Sequence, residues 1–167
     1  MQLSINITSL LVSTFLTGLT AGLCFTWGNA VTPGIGRLND LGFLQAFQEM
    51  NRAIINPIFI LVFMGPFFVH LANVYLFRAV PTNLYWIIIA AAILYIGGLV
   101  LITIFGNIPL NEMIDKVDLT QMSSDELASL RNQFEDKWNR FHLVRTITTS
   151  ISFALLIISI VIHSRNI

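Results

Sequence analysis

Four long stretches of the chain contain no Asp, Glu, Lys or Arg: residues 1–36, 53–77, 79–111 and 146–164. A helix crosses the hydrocarbon of a bilayer with roughly 20 apolar residues, and only helices or closed barrels satisfy every backbone group there. Each stretch is long enough for one crossing. The chain therefore reads as all-α, a four-helix transmembrane bundle, with spans expected near residues 7–27, 54–77, 84–105 and 143–162 of a single integral membrane domain covering residues 1–167. After an even number of crossings both ends lie on one side. The two longer connections then meet at the opposite side and are expected to form a polar cap.

Within 167 residues, 55% of them hydrophobic, four spans leave little chain for a separate soluble domain. The formal net charge of zero and the lack of a Lys/Arg-rich run remove the electrostatic footprint of a nucleic-acid binder. The partners to expect are lipid, a small hydrophobic molecule or another membrane protein, including a second copy of the chain. Cys24 is the only cysteine, so neither an intrachain disulfide nor a cysteine-based zinc pattern is available. The first apolar run lacks a basic leader and passes straight into polar residues after Trp27, which favours a retained span over a cleaved signal. Arg37, Arg52, Lys116, Arg131, Lys137, Arg140 and Arg145 fall on the two long connections, against Arg78 and Arg165 on the other side; a plain count places the connections in the cytoplasm.

Local signals refine this picture. Gly18 and Gly22, four apart, form a small-xxx-small pattern that lets another helix approach closely. Pro33, Gly34, Gly36 and Gly42 mark residues 28–44 as a folded connection, followed by a short amphipathic helix from about Phe43 that runs on into the second span. Gly65 and Pro66 in the middle of that span predict a kink. Ser123 and Glu126 have the spacing of a capping box, and Leu127, Leu130 and Phe134 follow at helical intervals, so an interfacial helix from about Ser124 should continue into the fourth span.

The polar residues near the cap end carry the chemistry. Gln48, Arg52 and Asn56 are spaced four apart on one helical face, with Asn51 beside them. Trp138, His142 and Arg145 share a face entering the fourth span; Asn107 and Asn111 close the third, and Trp27 the first. Such a row is costly in hydrocarbon and should face the bundle interior, as a ligand site or as polar glue between helix ends. His142 is the one side chain there whose unperturbed pKa lies near neutrality, which suits a general base or acid. His70 and His163 lie towards the other end, and no H-x-x-x-H, C-x-x-C, P-loop or dinucleotide pattern is present. No cofactor is expected; a haem or metal held through His142 is the alternative.

The runs Gln48-Glu49-Met50-Asn51-Arg52-Ala53-Ile54-Ile55-Asn56-Pro57, Asn107-Ile108-Pro109-Leu110-Asn111 and Trp138-Asn139-Arg140-Phe141-His142-Leu143-Val144-Arg145 together resemble the DUF1772 or anthrone oxygenase-like family of four-span membrane proteins. The resemblance extends in order over nearly the whole chain. It implies oxidation of a hydrophobic aromatic, anthrone- or quinol-like substrate with molecular oxygen, as in the fungal members that convert anthrones to anthraquinones. On that reading His142 is the base, Arg145 or Arg52 stabilises the developing enolate, Gln48, Asn51, Asn56, Asn107 and Asn111 orient substrate oxygens, and Trp138 or Trp27 stacks on the rings. The competing reading is a non-enzymatic membrane module whose polar cluster binds a lipid or quinone, or simply fixes the bundle for a partner.

Overall fold

The computed structural model describes residues 5–80 and 82–165, with no strand among them. Five helices account for the fold: α1 (Ile5–Ile35), α2 (Asp40–Ile54), α3 (Pro57–Leu76), α4 (Asn83–Asp115) and α5 (Ser124–Arg165). All but α2 are long and apolar enough to cross a membrane, which makes this a multi-pass membrane protein. Each spanning helix packs on the next, and α5 returns to α1, closing an up-down-up-down ring. Large apolar side chains such as Phe15, Ile58 and Phe105 point outward, as lipid contact requires.

Two helices run further than the sequence predicts. The first span does not end at Trp27 in a folded connection; α1 continues to Ile35, leaving only residues 36–39 as a link. Likewise α4 passes Phe105 and ends at Asp115. Both overruns contain a proline, whose ring would collide with the carbonyl four residues earlier and which lacks an N–H to donate. In each case that carbonyl lies in a wide turn, Trp27–Val31 ahead of Pro33 and Thr103–Asn107 ahead of Pro109. There the amide of Thr32 bonds to the carbonyl of Trp27, five residues back, so the helix absorbs the proline instead of stopping.

The expected run of α2 into the second span is also corrected. Asn56 precedes Pro57, and a residue in that position is driven out of the helical region. It is extended at φ −130° and ψ 162°, and its Oδ1 accepts from the Phe59 amide at 3.0 Å to cap α3. The chain thus breaks at residues 55–56. The capping box does form: the Ser123 amide donates to Glu126 Oε2 at 2.7 Å and the Glu126 amide to Ser123 Oγ at 3.4 Å.

Close packing along α5 sets the helix spacings. A Cβ on Gly18 would lie 2.8 Å from the Phe153 ring, one on Gly106 2.8 Å from Phe141, and one on Gly98 2.4 Å from Thr148, whereas Gly22 has open space around it. Only one half of the expected glycine pair therefore makes a helix contact. At the cap end, Phe43, Phe47, Phe134 and Trp138 form an aromatic core between α2 and α5. Arg131 fastens it, donating to the carbonyls of Gly36 and Leu38 and to the carboxylates of Asp40 and Glu135.

Candidate functional site

Beneath the cap, α1, the end of α2, α3, α4 and α5 line an open-sided cavity of about 410 Å³. Most of its wall is aliphatic or aromatic, including Leu23, Ile55, Phe59, Phe63, Ile104 and Ile108. Its polar lining comes from Thr20, Trp27, Asn51, Arg52, Thr103, Asn111, Glu112, Asp115, His142 and Arg145.

The centre of the polar lining is on α5. His142 and Arg145, three apart, are neighbours on the helix surface. Arg145 Nη2 donates to His142 Nδ1 at 2.7 Å and Nη1 donates to Thr103 Oγ1 at 3.1 Å. A guanidinium has no acceptor, so Nδ1 supplies a lone pair and the ring proton resides on Nε2. From there it is donated to the Cys24 carbonyl at 2.9 Å. Both imidazole nitrogens are thereby engaged. Trp138 stacks on the imidazole at 4.8 Å and 14°, and Gly28 permits its approach, since a Cβ there would sit 3.3 Å from Cδ2 and Nε2. Wide turns in α1 and α4 flank this group, an irregularity that recurs at functional sites.

Arg145 is only 9% exposed and makes no ion pair among the described residues. Arg52 is its opposite. Half exposed on α2, it donates Nε to Asp115 and Nη1 to Glu49, each at 2.9 Å, and so links α2 to the end of α4 at the mouth of the cavity. The Asp115 hydrogen bond, with its charge, holds the Arg52 guanidinium above its ordinary pKa.

Of the residues expected to form the site, Trp27, Asn51, Arg52, Asn111, Trp138, His142 and Arg145 line the cavity; Gln48, Asn56 and Asn107 do not. Gln48 Nε2 donates to the carbonyls of Ile114 and Val117 at 2.6 and 3.0 Å, satisfying the end of α4. Asn56 is a helix cap, and Asn107 Nδ2 reaches the Trp138 carbonyl at 3.3 Å. Asn111 supports Trp138 by accepting its indole N–H at 2.7 Å. The sequence reading missed Thr103 and the Cys24 carbonyl; Thr103 lies one helical turn before Asn107, the only local signal for it. Both nitrogens of His142 are hydrogen-bonded, and the described residues contain no cluster of three His, Cys, Asp or Glu side chains that could hold a metal ion.

Fold and site together define a four-span membrane protein with a buried histidine–arginine pair on the wall of an apolar cavity. The chain belongs to the anthrone oxygenase family, whose profile matches residues 56–155, and this is the DUF1772-type family that the sequence resembles. The matched stretch contains α3, α4 and most of α5, with His142 and Arg145. No curated protein and no solved structure matches the chain significantly.

Proposed function

We propose that this protein oxidises a flat, hydrophobic aromatic substrate bearing an acidic CH or OH, anthrone- or quinol-like, with molecular oxygen. The observation that carries the reading is the buried His142–Arg145 pair set against a largely apolar wall. An anthrone CH2 that reacts with O2 becomes C=O and releases water, so no external electron donor is needed; the difficult step is loss of the first proton. Arg145 faces the oxygen on which the resulting enolate charge accumulates, where a guanidinium in a water-poor site stabilises it most strongly. When that oxygen takes over the Arg145 N–H, Nδ1 of His142 is released from its partner and becomes available as the base. Membership of the anthrone oxygenase family supports the reaction class. Ile55, Ile104 and Ile108 on the wall, all exposed on the outer surface, suit a substrate that arrives through the lipid.

The test is oxygen uptake by the protein in nanodiscs with a panel of anthrones and quinols, with the quinone product identified. His142→Gln should keep the bundle folded and lower turnover by about a hundredfold or more, the scale of lost general-base catalysis. Absence of uptake across the panel would leave a binding module for the same kind of ligand.

A further inference from the structure

Charged side chains are almost never buried without a partner, because the loss of hydration is recovered only by an opposite charge and by hydrogen bonds to every donor. Arg145 departs from this. Among the described residues it has no carboxylate partner, and its Nε–H, like Trp27 Nε1–H and an Asn51 Nδ2 hydrogen, is buried without an acceptor. All three side chains line the one apolar cavity, on α5, α1 and α2. The two acids of the lining, Asp115 and Glu112, do not fill the deficit: Asp115 is engaged by Arg52, which also holds Glu49, and Glu112 by Lys116. What these three donors lack is an oxygen acceptor, and the apolar walls around them suit one carried on an apolar body.

We propose that the cavity binds its ligand as an anion, with a carboxylate, phenolate or enolate oxygen completing the hydrogen bonds of Arg145 and of the Trp27 and Asn51 N–H groups. This deepens the oxygenase reading, on whose cavity it rests, by naming the ionisation state of the bound molecule; it does not depend on turnover. The apolar wall takes the ring system, and the cation selects the conjugate base over the neutral acid. The same charge that selects the ligand then stabilises its anion during any later chemistry.

The experiment compares anthraquinone-2-carboxylate with its neutral isostere anthraquinone-2-carboxamide, neither of which has a CH2 to oxidise, by titration calorimetry on the full chain in zwitterionic nanodiscs. The carboxylate should bind about ten- to a hundredfold more tightly, the worth of a hydrogen bond to a charged group. Arg145→Met should abolish that preference, weakening the carboxylate far more than the carboxamide, and the carboxamide binding that remains reports that the cavity is intact. Trp27→Phe, which keeps an aromatic ring and loses the N–H, should weaken the carboxylate selectively and serves if Arg145→Met does not fold. Equal affinities in the wild type, or an anion preference that survives Arg145→Met, would overturn the proposal. Anion-selective binding without oxygen uptake on anthrones would uphold it while removing the oxygenase reading; oxygen uptake with equal affinities would do the reverse.

Discussion

Gly98→Ala is the substitution for which the packing makes the sharpest demand. The added methyl would lie 2.4 Å from both Cβ and Oγ1 of Thr148 and 2.6 Å from its Cγ2, where carbon atoms rest at about 3.5–4.0 Å. More than an ångström of clearance is therefore missing. Thr148 cannot easily turn aside, because a β-branched side chain is stiff and its hydroxyl donates to the Val144 carbonyl at 2.8 Å. The helices α4 and α5 must separate, at a cost of about 1–3 kcal/mol, the range for inserting a methyl into a filled core, and here towards its upper end. Gly22→Ala adds the same methyl to open space and serves as the control, neutral or slightly stabilising. Unfolding in mixed micelles followed by circular dichroism reads both. Thr148→Gly should recover most of the loss in the Gly98→Ala background, whereas Thr148→Ser should not, since Cβ and Oγ remain. Indistinguishable stabilities for the Gly98 and Gly22 variants would refute the argument that this notch sets the α4–α5 distance.

Gly28→Ala should act on the site rather than on the fold: a Cβ at 3.3 Å from the His142 ring displaces it by a few tenths of an ångström and loosens the bond to Cys24, so ligand binding and oxygen uptake should fall while the melting temperature stays close to wild type. Gln48→Leu should do the reverse. Stranding the Ile114 and Val117 carbonyls costs about 1–3 kcal/mol, measurable as a lower unfolding midpoint, with unchanged ligand affinity in the folded fraction.

The spans and the capping box were legible because each is written in contiguous residues: charge-free runs for the first, a three-residue offset for the second. The pairing of His142 with Arg145 was legible for the same reason, being fixed by helical spacing alone. What failed were inferences about where helices end beside a proline. At Pro33 and Pro109 a wide turn takes up the lost hydrogen bond and the helix goes on, whereas Pro57 stops α2 by forcing Asn56 into an extended conformation. The row of Gln48, Arg52 and Asn56 consequently loses its last member. The contrast between the two arginines was hidden too. Arg52 is neutralised by Asp115, 63 positions away, and Arg145 is left without an acid; no local pattern distinguishes them.

The three glycine notches share a partner. Gly18 on α1 and Gly98 and Gly106 on α4 receive Phe153, Thr148 and Phe141, all from α5, the helix that a ribosome makes last of the five. Its 42 residues extend about 63 Å, some twice the thickness of a bilayer's hydrocarbon, so helical propensity alone leaves its vertical position undetermined. The notches remove that freedom as the teeth of a lock do: a slip of one turn would drive bulky side chains against the unnotched ridge of α4, where Leu94 and Ile102 stand one turn from Gly98. Insertion of α5 thus brings His142, Arg145 and Trp138 to the level of Cys24 and Thr103 after the other four helices have been made, and until then the nascent bundle has walls but no polar centre.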